Sequence, residues 1–132
     1  MGRKVAWIVV ELVLSILFAL AILTAWQGFL TGSVLNGFLD ALNMLFLFMD
    51  VGLVMFLLWL ILRAARNDPP KAPMGAAGAV VINLVAVLIV GFIQGGAAPW
   101  AFLLFALTAG IAFLLAVLVA TPIAHGLTRE RT

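Results

Sequence analysis

The chain has 132 residues, of which 67% are hydrophobic and 9% are charged. Soluble domains are about half apolar and about a quarter charged, so this composition excludes a soluble protein and indicates an integral membrane protein. Seven basic and five acidic residues leave a formal net charge of +2, which gives no reason to expect a nucleic-acid partner. The chain has no cysteine, which excludes disulfides, thiolate nucleophiles and sulfur-bound metals.

Four long apolar segments follow one another along the chain, over residues 5–26, 38–62, 74–93 and 100–123. Each holds about 20 residues or more, enough at about 1.5 Å per residue to cross a hydrocarbon core about 30 Å thick. The connections are short and rich in turn-forming residues, so residues 1–132 make a single membrane domain. The sequence therefore predicts an all-α integral membrane protein, a four-transmembrane-helix bundle whose main partner is the lipid bilayer.

The first segment shares one feature with a secretory signal peptide, because Arg3 and Lys4 precede its apolar core. That core is about twice as long as the core of a signal peptide, and no convincing small-residue cleavage site follows it. We therefore expect the first segment to be retained as a transmembrane helix.

Basic residues outside the apolar segments predict the orientation, because loops rich in lysine and arginine stay in the cytoplasm. They precede the first segment, separate the second from the third, and follow the fourth: Arg3, Lys4, Arg63, Arg66, Lys71, Arg129 and Arg131. The two other loops are uncharged, so with four crossings we expect both termini in the cytoplasm. The alanine-rich composition, with arginine outnumbering lysine five to two, favours the plasma (inner) membrane of a bacterium.

The four tryptophans give a second indication of the same topology, because indole rings favour the interface between headgroups and hydrocarbon. Trp7 and Trp59 lie near the predicted cytoplasmic ends of their segments, and Trp26 and Trp100 lie near the outer ends. We therefore interpret all four as interface anchors rather than as residues that stack on a ligand.

Small residues predict where helices approach closely, since helices in lipid pack through residues that let their backbones come together. The third segment has Gly75, Ala79 and Asn83 at intervals of four residues. The fourth has Ala112, Ala116 and Ala120 at the same interval, and Gly110 precedes this row. We predict a close hairpin between these two segments, joined by residues 94–99. A seam with a second copy or with another subunit is the alternative.

Asp50 is the strongest functional signal, because it lies at the middle of the segment 38–62 and so near the centre of the bilayer. An ionisable group there costs about 2.5–3.5 kcal/mol on insertion scales, and such residues commonly mark ion, proton or partner sites. No lysine, arginine or histidine lies within the four segments, and Arg63 is about 20 Å away along the helix. Asp50 therefore needs a proton, a cation from another protein, or a wet cavity.

Other polar residues are predicted to lie near Asp50. On a continuous helix, Asp40, Asn43 and Asp50 fall within an arc of about 80°. Asn83 has an amide that is able to donate to Asp50, and Glu11 lies about 9 Å inside the first segment. We predict that Glu11, Asp50 and Asn83 form a cluster that binds a partner, a proton or a cation.

Each of these residues also has a purely structural interpretation. Asp40 suits the first turns of a helix, where a carboxylate stabilises the unpaired N–H groups. Glu11, which shares a helix face with Ser15, is shallow enough to reach interfacial water or Lys4. Asn83 suits an interhelical hydrogen bond, and Asp50 suits the membrane core if it is protonated.

The sequence offers little for catalysis, since it has no paired nucleophile and base, no metal triad and no glycine-rich phosphate loop. Asp40 and Asp50 are about 15 Å apart along their helix, too far for a catalytic pair. We therefore expect no enzyme activity, no cofactor and no metal. The leading hypothesis is a non-catalytic accessory subunit of a larger membrane complex, a transporter or lipid-handling assembly, that contacts other subunits through its intramembrane polar residues.

Two further functions are alternatives to the accessory subunit. The first is a small homo-oligomeric channel or proton-coupled exporter. In size, helix count and Glu11 the chain resembles the small multidrug resistance family, but that family has a lysine eight residues after the glutamate, where this chain has Ala19. Asp50 is a second departure from the pattern, so we do not assign the chain to the family. The second alternative is a phage-type holin or membrane immunity factor.

Overall fold

A computed structural model describes residues 2–66, 71–94 and 99–128 of the chain. These residues form five helices and no strand: α1 is Gly2–Thr31, α2 is Val34–Phe48, α3 is Asp50–Ala65, α4 is Ala72–Ile93 and α5 is Pro99–Thr128. Three of them, α1, α4 and α5, are each long and apolar enough to cross a membrane, and α2 with α3 is a fourth candidate if the bent pair is one span. The all-α, multi-pass prediction is therefore confirmed, with three or four candidate spans in the described ranges.

The segment predicted as one helix over residues 38–62 is two helices that meet at Met49. The helices α2 and α3 are bent by 66° relative to each other. The Met49 backbone between them has φ −123° and ψ 12°, outside the α-helical range. No proline or glycine occupies positions 48–50, so the usual local causes of a sharp kink do not apply. The bend has to be stabilised by contacts from another helix.

The hairpin between α1 and α2 explains why α2 begins at Val34 rather than at residue 38. Gly32 takes a left-handed conformation at φ +75°, which glycine adopts without steric cost. Ser33 then caps α2, because its side chain accepts a hydrogen bond from the Asn36 N–H at 3.4 Å. At Gly37 the backbones of the two helices touch: an added Cβ would meet the Gly28 backbone and lie 2.8 Å from the Thr24 carbonyl oxygen.

The helix α5 packs against α1, α4 and α2, while α2 also packs on α1 and α3 packs mainly on α4. Phe113 of α5 meets Phe56 of α3 edge to face, with ring centroids 5.1 Å apart. Phe48, at the end of α2, contacts the rings of Phe102 and Phe105 at 5.7 and 5.5 Å. Such tilted and edge-on pairs are favourable for aromatic rings. α5 continues past Pro122 to Thr128, beyond its predicted end at residue 123.

The small residues predicted to mediate packing are buried, but their partners differ in part from the prediction. Gly75 lies against the Trp59 ring of α3, and Asn83 also faces the α2–α3 pair, so the row Gly75–Ala79–Asn83 does not pack on α5 as a unit. The α4–α5 contact forms instead where Gly110 meets Val80. The remaining predicted residues are all at most 3% exposed: Ala79, Ala112, Ala116 and Ala120.

The tryptophans divide into two pairs by exposure. Trp26 and Trp100 are 51% and 66% exposed, at the ends of the bundle that we predict to face outward. Trp7 and Trp59 are half-buried against the core, and the Arg63 guanidinium carbon lies 5.2 Å from the centre of the Trp59 ring, a cation–π contact. Anchoring at the membrane interface stays a prediction for all four.

Candidate functional site

The break at Met49 is bridged by the side chain of Asn83 from α4. The Asn83 amide nitrogen donates to the Phe48 carbonyl oxygen at 2.7 Å, and its amide oxygen accepts from the Gly52 N–H at 3.2 Å. In a continuous helix the Gly52 N–H would donate directly to the Phe48 carbonyl, four residues earlier. Asn83 therefore replaces the missing backbone hydrogen bond with two bonds through its own amide, which satisfies both groups and keeps the helix open.

Glycine at position 52 allows α4 to come this close. A Cβ on Gly52 would lie 3.2 Å from the Asn83 Cβ and would also crowd the Met49 side chain. The helical ladder resumes immediately afterwards, because the Leu53 N–H donates to the Met49 carbonyl at 2.9 Å. Asn83 is 1% exposed, so the two bonds form in a dry environment, where an unpaired backbone group is costly.

Asp50 is the first residue of α3, directly after the break. Its side chain is exposed on the flank of the bundle, where it helps to line a groove of about 340 Å³. Asn83 and Gln94 are the other polar residues of this groove, and Phe48 and Phe102 are among its apolar walls. A carboxylate at a helix N-terminus is stabilised by the unpaired N–H groups and the helix dipole. Because the bend places Asp50 at a helix start, it offsets part of the free-energy cost of a carboxylate in an apolar environment.

Asp50 has no charged partner within the ranges that the structure describes. No hydrogen bond or ion pair joins its carboxyl to another described residue. The amide of Asn83, which we predicted would donate to Asp50, is instead bonded to the backbone across the break. Asp50 and Asn83 do share one groove.

Asp40 and Asn43 do not continue this site. The stripe predicted for Asp40, Asn43 and Asp50 assumed one continuous helix, and the 66° bend removes that alignment. Asp40 is half-buried in α2, almost two turns after the helix start at Val34, so it lies beyond the first turn of the helix. Asn43 is exposed on α2.

Glu11 lies in a second polar site, away from the break. Its side chain is fully buried, and its Oε1 lies 2.6 Å from the Thr121 hydroxyl oxygen of α5. Ser15, one turn further along α1, is also fully buried. The predicted cluster of Glu11, Asp50 and Asn83 therefore does not form. Glu11 is closed off from the protein surface, and the predicted contact with Lys4 lies outside the described side chains. Sequence reasoning missed Thr121, although it is a rare hydroxyl in an apolar helix, at a similar distance from the bundle end as Glu11.

Two buried polar atoms of this second site have no hydrogen-bond partner in the described residues: the Glu11 Oε2 and the Ser15 Oγ. Buried polar atoms without a hydrogen-bond partner are uncommon in folded proteins, and each needs a physical explanation. Neither polar site has the composition of a metal centre, since the described part of the chain holds no group of three or more His, Cys, Asp or Glu side chains placed to bind an ion.

The chain can also be compared with known proteins. Its sequence matches no protein-family model and no curated protein, and its fold matches no solved structure. The two polar sites are therefore the basis for the functional proposals.

Proposed function

We propose that this chain is a non-catalytic accessory subunit of a larger membrane assembly, and that Asp50 at the helix break is its intramembrane contact with a partner. The observation that supports the proposal is the exposure of Asp50 on an apolar flank. Leu47, Val51 and Val54 surround it and are themselves exposed. In lipid, an ionised carboxylate in such surroundings is costly unless another group covers it.

The partner group that suits Asp50 is a hydrogen-bond donor or a cation on a neighbouring transmembrane helix. Such a helix would fit against the groove beside Asp50, where Asn83 and Gln94 add polar contacts. Polar pairs of this kind join helices within membranes. A bundle of this size, with short connections, is suited to packing beside a larger transporter or lipid-handling subunit.

The proposal includes a topology of four crossings with both termini in the cytoplasm of a bacterial cell, in the plasma (inner) membrane. A bend of 66° is less than a right angle, so α3 continues in the general direction of α2, whereas a re-entrant loop reverses its direction. The 15 residues of α2 and 16 residues of α3 together reach about 33 Å along α3, enough for one span. The positions of the basic residues support the cytoplasmic termini.

The experiment is purification of the tagged protein from native membranes in a mild detergent, with mass spectrometry of what accompanies it. We expect one or more larger membrane proteins, whose recovery falls at least about tenfold for Asp50→Leu, because a lost contact of about 1.4 kcal/mol has that effect. Asp40→Leu is the matched control, since it removes the same charge one helix earlier. A wild-type protein that purifies alone would contradict the proposal.

A second candidate is a small homo-oligomeric channel or exporter, which the helix break itself favours. Discontinuous helices near the membrane midplane commonly bind ions and substrates in transporters. In that case water reaches the groove. Because the chain has no cysteine, Asp50→Cys and Val54→Cys give single-site probes. In liposomes, labelling of the first but not the second by a water-soluble maleimide would favour this candidate, while equal protection of both would favour the accessory subunit.

A further inference from the structure

The contact between α1 and α5 contains one hydroxyl hydrogen and two acceptors for it. The Thr121 Oγ1 lies 2.6 Å from the Glu11 Oε1 and 2.8 Å from the Val117 carbonyl oxygen. A threonine hydroxyl has a single hydrogen to donate and also accepts hydrogen bonds. If Glu11 were ionised, one of the two oxygen–oxygen contacts would contain no hydrogen. A proton on Glu11 resolves this, because the acid then donates to Thr121 while Thr121 donates to Val117.

The burial of Glu11 and Ser15 leads to the same assignment. Glu11 and Ser15 are both 0% exposed, and the Glu11 Oε2 has no donor. An ionised carboxylate in an apolar interior needs donors on both oxygens or a nearby cation. A neutral acid needs fewer, because its charge has been removed by the bound proton.

We infer that Glu11, Thr121 and Ser15 form a proton-binding site inside the bundle, in which Glu11 holds the proton as a neutral carboxylic acid. Glu11 is the group that binds the proton, and Thr121 accepts the hydrogen bond from it. The site is independent of the partner contact proposed for Asp50, because it lies inside the bundle and its proton comes from water.

Ser15 makes the site reversible. Its hydroxyl has no partner in the described residues, and it lies one turn from Glu11 on the same face of α1, where side chains four residues apart are neighbours. When the proton leaves to water, Ser15 donates to Oε2 and Thr121 turns its hydrogen from Val117 to Oε1. The ionised acid then accepts two hydrogen bonds. Glu11 is about 14 Å from the first residue of α1, so the proton travels a short distance from the nearer end of the bundle.

The titratable residues on the helices that pack against α1 do not provide a competing partner. They are Asp40 in α2, Asp50 and Arg63 in α3, and His125 in α5. Asp50 and His125 are exposed, Asp40 is half-buried, and Arg63 stacks on Trp59. Within the described ranges, the hydrogen bond of the Glu11 carboxyl is to Thr121.

The experiment uses the small number of glutamates in the chain. Full-length protein with ¹³C at the glutamate carboxyl carbons, in lipid nanodiscs, gives two signals, from Glu11 and Glu130. Glu11→Gln removes one signal and Glu130→Gln removes the other, so the assignment survives if the Glu11 variant does not fold. We expect the Glu11 carbon at the position of a neutral acid at pH 7, and the Glu130 carbon at the position of a carboxylate.

A titration with base then tests the role of Ser15. Ser15→Ala removes a donor to the ionised form, so this variant should keep the acid signal into more alkaline solution than the wild type. A role of Ser15 in packing alone would leave the titration unchanged and overturn its part in the site. A carboxylate signal for Glu11 at pH 7 would overturn the proposal, as would a signal that shifts when sodium replaces choline, since the site would then hold a metal cation.

Discussion

Two acids of the apolar segments, Asp50 and Glu11, lie in opposite environments. Asp50 is exposed on the flank of the bundle, at the start of a helix and beside a groove. Glu11 is enclosed between α1 and α5, with a hydroxyl at 2.6 Å. The direction in which an acid faces, into the bundle or away from it, therefore decides whether a group of its own chain is able to contact it.

The largest loss of stability is expected when the Asn83 side chain, which joins the two sides of the helix break, is replaced. Asn83→Leu leaves the Phe48 carbonyl and the Gly52 N–H without their bonds, and each unsatisfied buried group costs about 1–3 kcal/mol. We expect the free energy of unfolding in detergent to fall by about 2–4 kcal/mol. The control is Asn43→Leu, an exposed asparagine, with a change of about 0.5 kcal/mol or less. Equal effects of the two changes would show that the bridge is not stabilising.

A smaller loss of stability is expected at the contact between Glu11 and Thr121. Thr121→Val removes the partner of Glu11 and should lower the free energy of unfolding by about 1–2 kcal/mol. Thr108→Val is a matched control, because Thr108 also bonds the carbonyl four residues earlier, that of Leu104, at 2.9 Å. The difference between the two variants, measured by denaturant titration in detergent, isolates the Glu11 contact. No difference would mean that Glu11 gains nothing from Thr121.

The smallest loss of stability is expected for a substitution of Asp50. Asp50→Asn removes only the attraction between the carboxylate and the start of α3, worth about 0.3–1 kcal/mol. Circular dichroism during denaturation should therefore show a nearly unchanged bundle, while the recovery of partner proteins falls. A loss of about 2 kcal/mol or more would instead indicate that Asp50 has a bond within its own chain.

The sequence predicts the multi-pass character of the chain and both ends of α4 well, because long apolar runs are a strong local signal. The start of α4 at Ala72 and its end at Ile93 lie close to the predicted range 74–93. The break at Met49 was missed because nothing local marks it: it depends on Asn83, on another helix. Thr121 was missed for a similar reason, since its contact with Glu11 spans 110 positions in the chain.

The same limit applies to the packing prediction. Periodic small residues identify faces that approach another helix closely, and Gly75 and Gly110 both do so. They do not identify which helix packs against each face, because several helices are close enough to do so. Gly75 therefore meets Trp59 of α3, where the sequence suggested α5.

The contact of Gly37 with Gly28 has a mechanical consequence. It ties α2 to α1 backbone against backbone, just as the Asn83 amide ties the beginning of α3 to α4. Met49 is then a joint between two helix pairs, with α5 lying along both. The Asn83 amide stands between the Phe48 carbonyl and the Gly52 N–H, so the angle of this joint depends on a side chain that neither of the two joined helices supplies.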